Sequence, residues 1–399
     1  MKFDIRKFGA AGDGRTDDTK AIQRAIDACP AGGTVLISGG TFVSGALFLK
    51  SGICLQIDTG SVLLGSRDLS RYPVIRYLYE GVEEKCYASL LNTSEGPNSN
   101  ISITGGGAID AGGLLLAALE MDTAYKRGRS VCIRGCRGVT ISHVKILHSP
   151  QWNLHLIGCS DVNIHDVEID SAYPQDPRLH AYPDNDDGIA LESCENVEIR
   201  NAFIRTYDDC ISIKSGRGPL ARALARPTKN VRISHCSFHL GSGVAIGSEI
   251  SGGAEDILIS DCRFYDTFSM FCLKTTRLRG AFIRRITMRD CVMQDRDTGV
   301  YAYRRHKGII YIDSEYKDKN PAEAPPESLT RVSDIFLSNL QIDAPEVETT
   351  LYIKGFEEQP FENIVLEDIR SNCRGSDFIQ NAEVHGAVRC NESLGTFHF

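Results

Sequence analysis

A short pattern of aliphatic residues recurs along most of the chain. Most copies have Val or Ile, a second apolar residue two positions later, and a third five positions after that. Apolar residues that alternate with polar ones are typical of half-buried β-strands. The copies begin at Ile101, Val139, Val162, Val197, Val231, Ile257, Ile286, Ile335 and Ile364.

The intervals between copies are unequal, with 23 residues between Val139 and Val162 but 49 between Ile286 and Ile335. A constant core with variable spacing indicates a solenoid whose coils carry loops of different length. The sustained leucine register of leucine-rich repeats is absent, and the β-branched, period-2 pattern excludes helical repeats. We therefore predict an all-β chain with one domain, a single-stranded right-handed parallel β-helix.

A residue suited to a tight bend lies between the two short strands of most copies. Gly, Asn and Asp adopt the backbone conformations that such bends require more readily than other residues do. The predicted bend residues are Gly105, Asp166, Asn201, Asp261, Asp290, Asn339 and Asp368.

The N-terminal segment, residues 1–30, has a different pattern and predicts a cap for the solenoid. Thr16 or Asp17 can begin a short helix, a stripe of Ala and Ile follows at positions 21, 22, 25 and 26, and Pro30 ends it. Such a helix would cover an open coil, which exposes unpaired backbone groups. Residues 31–399 would form the coils, of which the first are predicted at Val35–Ile37, Leu47–Leu49, Leu55–Ile57 and Val62–Leu64.

Composition narrows the classes of partner. The 399 residues carry a net charge of −8 and contain no long basic run, so no nucleic-acid partner is expected. If the ligand were an anionic sugar, locally placed Lys or Arg would have to bind it, because the protein as a whole is acidic. No apolar run is long enough to span a bilayer, so we expect no membrane partner. The segment Met1–Arg6 is not followed by the apolar stretch of a signal peptide, so we expect a cytoplasmic protein. The oligomeric state stays open.

The fourteen cysteines are expected to be free thiols rather than disulfides, because no export signal is seen. Many lie inside the β pattern, where Cys serves as a small buried hydrophobe. No C-x-x-C pair occurs, so no zinc site is expected. Neither a metal nor a cofactor is predicted.

Three acidic residues suggest a catalytic site. Asp187 lies 21 residues before Asp208, which is followed by Asp209, and this spacing is close to one coil of a β-helix. Residues one coil apart stack at roughly 4.8 Å. The carboxylates would therefore meet on one face, and paired carboxylates are what the hydrolysis of a glycosidic bond needs.

The order of several short motifs resembles known families. The segment from Phe8 to Thr19 resembles the opening of pectate-lyase-like β-helix proteins. The centre resembles glycoside hydrolase family 28, the polygalacturonases, which carry N-[T/N/D]-D, D-D, G-H-G and R-I-K on successive coils. The matching segments here are Asn185–Gly188, Asp208–Ile211, Gly241–Glu249 and Phe271–Thr275, together with Lys214–Arg217 as in bacterial exo-acting members, and Ser149–His155.

Two positions depart from the family pattern. Ser242 stands where the family has His, and Cys272 stands where it has Arg. A bidentate contact between Arg and a carboxylate contributes roughly 1.5–3 kcal/mol, so uronate recognition would be weakened, supplied by Arg277 or Arg279, or not required. The departures predict an unusual substrate, such as one with a neutral sugar in the leaving-group position.

The resemblance also implies roles for individual residues. Asp208 would be the general acid, Asp187 and Asp209 would hold the attacking water, and Lys274 would lie over the sugar-binding groove. The loop segment 301–306, which is rich in aromatic and polar residues, would suit a groove wall. The remaining predicted substrate-binding residues are Asn185, Asp186, Ser242, Cys272, Arg217, Arg279, His155, Trp152 and Tyr303.

We expect an inverting, exo-acting glycosidase that removes a terminal sugar from pectin-derived or related plant oligosaccharides or glycosides. Two alternatives remain open. A polysaccharide lyase on the same fold would need a Lys or Arg base, often with calcium, and would release an unsaturated product. A non-catalytic carbohydrate-binding β-helix would explain the changes at Ser242 and Cys272 as lost activity.

Overall fold

The computed structural model describes residues 1–113, 125–171, 185–296, 306–317 and 324–390. The chain forms two compact units, Met1–Asp208 and Asp209–Phe399. In the described ranges the α-helices are Thr19–Ala28 and Gly218–Leu224, and Ile5–Phe8 and Leu69–Arg71 form short 3-10 helices. None of these helices has the length and apolar character needed to cross a membrane.

The first unit consists of short parallel strands, apart from one antiparallel hairpin. The predicted repeat is confirmed by the strand register, because Ile101, Val139, Val162 and Val197 pair with one another in succession. Their side chains are buried, so identical positions of successive coils stack into one apolar core. The strands are Lys2–Asp4, Asp13–Asp17, Thr34–Ile37, Thr41–Ser44, Leu47–Leu49, Cys54–Ile57, Val62–Gly65, Val74–Tyr79, Val82–Tyr87, Leu91–Thr93, Asn98–Thr104, Ala108–Asp110, Val131–Arg134, Cys136–Ser142, Lys145–Leu147, Leu154–Ile157, Ser160–His165, Glu168–Asp170, Ile189–Glu192 and Glu195–Arg200.

The second unit repeats this construction. Val231, Ile257, Ile286, Ile335 and Ile364 pair in succession, again in the predicted register. The strand Phe203–Lys214 contains the last residues of the first unit and the first residues of the second. The other strands are Thr228–Ser234, Ser237–Ile246, Ala254–Ser260, Arg263–Tyr265, Ser269–Lys274, Phe282–Gln294, Ile310–Asp313, Arg331–Asp343, Leu351–Lys354, Phe361–Ser371, Phe378–Gln380, Ala382–His385 and Val388–Cys390.

Every predicted bend residue has a positive φ. The values are 48° to 56° for the six Asp and Asn residues and 123° for Gly105. Short polar side chains tolerate this left-handed conformation because they can form local hydrogen bonds. Asn201 Nδ2 donates to Asp166 Oδ1 at 3.1 Å, and Asn339 Nδ2 donates to Asp290 Oδ1 at 2.8 Å. The bends are therefore cross-linked from one coil to the next.

The N-terminal helix has the predicted buried stripe of Ala and Ile, and it ends before Pro30. Its start differs from the prediction. The N-cap residue is Asp18, whose carboxylate accepts the backbone N–H groups of Ala11 and Gly12 instead of capping the helix. Asp17 accepts the N–H of Thr19 at 3.0 Å. Side-chain capping therefore comes from the residue before the N-cap, because Asp18 is used to fix the preceding loop.

One element of the first unit was not predicted. Val74–Tyr79 and Val82–Tyr87 pair antiparallel as a hairpin with Glu80 at its turn. Its strands lack the spacing of the β-helix repeat. Its turn residue Glu80 has a positive φ of 47°, although the residue is neither Asn nor Gly.

The four predicted early coils are present as Thr34–Ile37, Leu47–Leu49, Cys54–Ile57 and Val62–Gly65. All fourteen cysteines are free thiols, and eleven of them are buried.

Candidate active site

The first two acidic motifs are held together in the first unit by hydrogen bonds. The Asp208 carboxylate accepts the backbone N–H of Asn185 at 3.2 Å. The Asp186 carboxylate accepts the backbone N–H of Tyr207 at 3.0 Å and the hydroxyl of Ser171 at 2.7 Å. Asn185–Gly188 and the segment ending at Asp208 are thus neighbours, as their spacing in the sequence predicted.

The acidic residues of these motifs differ in exposure. Asp186 is fully buried and Asp187 is 2% exposed, whereas Asp208 is only partly buried. The prediction that Asp186 binds substrate stays a prediction, and in this structure its side chain lies inside the protein and bonds to two protein groups. Its role is to position the neighbouring coil. Of these three acids, Asp208 is the most exposed.

Asn153 fixes the backbone around Asp187. Its backbone N–H donates to the Asp187 carbonyl at 2.8 Å, and its Nδ2 donates to the Asp186 carbonyl at 3.0 Å. From the hairpin, Glu80 Oε1 accepts a hydrogen bond from Asn185 Nδ2 at 3.1 Å. Sequence reasoning missed Glu80, because nothing in its surroundings marks a residue that meets a motif 105 positions later.

Trp152 and His155 lie in the interior of the first unit. His155 is fully buried, and its Nε2 lies 3.0 Å from Glu192 Oε2. Trp152 is 1% exposed and packs against His155, Tyr79 and the Arg129 guanidinium. Protein groups therefore contact both rings, and the prediction that these two side chains contact substrate stays a prediction.

In the second unit Asp209 forms a buried ion pair. Lys274 Nζ lies 3.0 and 2.8 Å from the two carboxylate oxygens of Asp209. The Asp209 side chain is 4% exposed and the Lys274 side chain is 7% exposed. Lys274 also lies 5.4 Å from the centre of the Tyr316 ring. The two opposite charges therefore compensate each other at a buried position.

A second acidic residue of this unit, Glu249, is surrounded by cations. Burial by itself would raise the pKa of Glu249, but Lys214, Arg279 and Lys274 outweigh it and lower the pKa to about 2. Lys214 Nζ lies 3.5 Å from Glu249 Oε2. Arg279, which is almost fully buried, donates from Nε to the Ser248 carbonyl. Glu249 is therefore charged at neutral pH and balances part of this basic cluster.

The two positions that depart from the family pattern meet a third residue. His306 Nε2 lies 3.1 Å from Ser242 Oγ and 3.6 Å from Cys272 Sγ. The imidazole stacks on Tyr311 with ring centres 4.6 Å apart. Sequence reasoning had His306 only as one residue of a groove wall, because its contacts come from strands far away in the chain.

The glycines of the third motif are required by close packing. A Cβ on Gly243 would lie 2.3 Å from the Phe264 ring, and one on Gly247 would lie 2.0 Å from the Lys274 carbonyl. Gly247 also has a φ of 96°. Glycine at 247 therefore lets the backbone that leads to Glu249 run directly against the strand that carries Lys274.

Three other predicted residues remain, Arg277, Tyr303 and Arg217. Arg277 forms an exposed bidentate pair with Glu358, at 3.0 and 2.8 Å. Tyr303 lies outside the described residues. Arg217 is buried and directly precedes the helix Gly218–Leu224.

One group in the described ranges has metal-ligand chemistry, His143, His165 and Asp166, and it contains none of the predicted site residues.

A comparison with protein families matches residues 80–390 to the model described as glycosyl hydrolases family 28. The chain belongs to family 28. It is therefore a glycosidase. A second model, rhamnogalacturonase A/epimerase, pectate lyase-like, matches residues 3–66, which is where the sequence resembled that superfamily.

Several family 28 relatives are similar over most of the chain. A probable polygalacturonase from Vitis vinifera is 27% identical over 91% of this chain and 72% of its own length. An exopolygalacturonase from Zea mays is 30% identical over 94% of this chain and 84% of its own length. An exo-poly-alpha-D-galacturonosidase from Dickeya chrysanthemi is 29% identical over 64% of this chain. That match covers 49% of the relative's own length.

Solved structures show the same fold. The hyperthermoactive exopolygalacturonase from Thermotoga maritima superposes with a TM-score of 0.81 at 24% identity, covering 98% of this chain and 92% of the other. The polygalacturonase from Erwinia carotovora gives a TM-score of 0.74 at 21% identity, covering 94% and 96%. The right-handed parallel β-helix predicted from the sequence is thereby confirmed for this family 28 chain.

Proposed function

We propose that this family 28 glycosidase is an inverting, exo-acting hydrolase that removes a terminal sugar from pectin-derived or related oligosaccharides. The names of its relatives support the substrate class, since they include polygalacturonases, an exopolygalacturonase and an exo-poly-alpha-D-galacturonosidase. Asp208 is the proposed general acid, and Asp187 and Asp209 are the proposed groups that hold and activate water.

In this mechanism Asp208 gives its proton to the glycosidic oxygen as the bond to the anomeric carbon breaks. Water attacks the same carbon from the opposite face, and its proton passes to the Asp187 and Asp209 carboxylates. The different surroundings of the acids support this division of roles. Asp208 is partly exposed, whereas Asp209 is buried against Lys274.

The observation that carries the proposal is the contact between the two acidic motifs. The Asn185 N–H holds one oxygen of Asp208, so this carboxylate has a fixed orientation beside the segment that carries Asp187. Acid–base catalysis depends first on such positioning and only then on proton affinity.

The test compares Asp208→Asn with wild type on a panel of pectin-derived oligosaccharides. Loss of a general acid lowers kcat by about 10²- to 10⁴-fold while binding persists. Asp261→Asn is the matched control, because Asp261 is an exposed bend residue with a φ of 56°, a conformation that Asn also adopts. Its kcat is expected to equal that of wild type.

The products separate the competing mechanisms. An inverting exo-hydrolase releases a monosaccharide whose anomeric configuration, followed by NMR during the reaction, is opposite to that of the substrate. A lyase would instead give an unsaturated product that absorbs in the ultraviolet. Full activity of Asp208→Asn would refute the assignment of the acid, and binding of the panel without any cleavage by wild type would favour the non-catalytic alternative.

A further inference from the structure

Two histidines and an aspartate meet at one bend of the first unit. Asp166 Oδ2 lies 2.7 Å from His165 Nδ1 and 3.9 Å from His143 Nε2. The centres of the two imidazole rings are 5.5 Å apart, and the rings are perpendicular to each other. One possible ligand atom from each of the three residues lies within 4.8 Å of the other two.

The strand register brings these residues together. Ser142 pairs with His165 in the next coil, so the residues that follow them, His143 and Asp166, face each other at the bend. The His143 N–H donates to the His165 carbonyl at 3.3 Å. Both bend residues have a positive φ, of 51° at His143 and 55° at Asp166. The three side chains therefore come from two successive coils whose backbones are held in register.

The Asp166 carboxylate is charged and oriented. Its pKa is lowered, first by the hydrogen bond with His165 and then by the hydrogen bond from Asn201. Asn201 Nδ2 donates to Oδ1 at 3.1 Å, whereas Oδ2 is the oxygen nearest the two imidazoles. A partner that fixes a carboxylate in this way is typical of the surroundings of a metal ligand.

One cationic side chain lies near the same carboxylate. Arg200 Nη1 is 3.9 Å from Asp166 Oδ2, and Arg200 Nε is 3.9 Å from Glu198 Oε1. Both distances exceed that of a hydrogen bond. The Arg200 side chain is 36% exposed, so it can turn towards Glu198 and solvent when another cation binds Asp166.

Imidazole nitrogen and carboxylate oxygen are the ligands that Zn²⁺ and neighbouring late transition metals bind in proteins. With bonds of about 2.0–2.1 Å, two ligand atoms of a tetrahedral Zn²⁺ lie roughly 3.3 Å apart. The separations of 2.7 and 3.9 Å fall on either side of this value, so small side-chain rotations suffice. The His143 side chain is 61% exposed, which gives an ion a path from solvent.

The second unit contains the same bend without a second imidazole. His235 has a φ of 54°, and its N–H donates to the Ser260 carbonyl at 3.3 Å. Ser234 pairs with Ser260, which places His235 opposite Asp261. Ser260 thus stands where the first unit has His165, so the bend alone does not assemble three ligands.

We propose that His143, His165 and Asp166 bind a divalent late transition-metal ion, with Zn²⁺ as the expected ion. The ion links two successive coils of the first unit, and water completes its coordination. It stabilises the folded chain, because the three ligands are together only there. The proposal is independent of the hydrolase function, since none of the three residues is a proposed catalytic group.

The test measures Zn²⁺ binding to the full chain, without a polyhistidine tag and after treatment with a chelator. Cys390→Ser is the background for every variant, because it removes the exposed thiol. Competition with a chromophoric chelator is expected to give a site that His143→Asn weakens by at least about tenfold. This substitution keeps the bend, since Asn has a positive φ at other bends. His235→Asn is the matched control and should leave the affinity within twofold.

His165→Gln is the second variant and should weaken the same site by a similar factor. Zn²⁺ should raise the Tm of the background protein and of His235→Asn, but not that of His143→Asn or His165→Gln. The Tm without metal reports whether each variant retains the fold. The proposal is overturned if the background protein binds no Zn²⁺, or if both histidine variants at the site bind it with unchanged affinity. A thiolate charge-transfer band with Co²⁺ would also overturn it, because cysteine would then be the ligand.

Discussion

Replacement of Lys274 by Met tests how the second unit holds its buried carboxylate. Lys274 Nζ lies 2.8 and 3.0 Å from the oxygens of Asp209, and the two side chains are 7% and 4% exposed. Lys274→Met keeps most of the apolar stem but removes the charge. Asp209 would then remain buried beside a methyl group instead of an ammonium.

The expected cost follows from burial. Removal of one partner from a buried ion pair destabilises a protein by about 3–5 kcal/mol, because the other charge is left without compensation. Exposed pairs contribute about 0–1 kcal/mol. Arg331 and Glu362 provide such a pair in the same unit, at 3.0 Å and with 67% and 48% exposure. Arg331→Met is therefore the matched control, with an expected loss below about 1 kcal/mol.

The assay is urea unfolding of wild type, the two single variants and the double variant Lys274→Met/Asp209→Asn. Since the neutral Asn no longer needs a cation, the double variant should be more stable than the sum of the single losses predicts, by about 1–3 kcal/mol. If Lys274→Met cost no more than Arg331→Met, or if the losses at 274 and 209 were additive, the pair would not be the buried, coupled unit described here.

Three further outcomes are expected. In the folded protein the pKa of Glu249 is lowered from 4.5 to about 2. The ionised carboxylate therefore contributes about 3 kcal/mol to the free energy of unfolding above pH 4.5, and this contribution is lost as the pH falls towards 2. Acid unfolding of Glu249→Gln should lack this part of the pH dependence. In thiol labelling of the native protein, the exposed Cys390 should react first, Cys54 and Cys373 more slowly, and the eleven buried cysteines only on unfolding. Asn339→Ala should lower the free energy of unfolding in urea by about 1–3 kcal/mol, because the backbone there has a φ of 48° and the side chain bonds to the neighbouring coil. Asn339→Gly should lower it clearly less, since glycine adopts a positive φ without strain.

The coils could be predicted from the sequence because their signals are local. Alternation of apolar residues fixes which side chains point inward, and the stacking of Val139, Val162 and Val197 follows from that alternation. Asn and Asp mark bends for an equally local reason, since the positive φ at Asp166 or Asn339 belongs to the residue itself. Variation in loop length leaves both signals intact.

The surroundings of the acids could be predicted only in part. The spacing of 21 residues indicated that the segment of Asp187 would lie beside Asp208, and the hydrogen bond from Asn185 agrees. The burial of Trp152 and His155 was not foreseen, because residue type does not reveal whether an aromatic side chain packs inside the protein or faces a ligand. Glu80 could not be found at all, since it reaches Asn185 from a hairpin outside the repeat.

The motif departures show why recognition has to be derived from contacts rather than from positions. Compared motif by motif, the chain loses a His at 242 and an Arg at 272 and gains nothing. In space, Ser242 and Cys272 both lie against His306, a residue that another segment supplies. The family assignment and the proposed catalytic acids depend on conditions that these changes leave untouched.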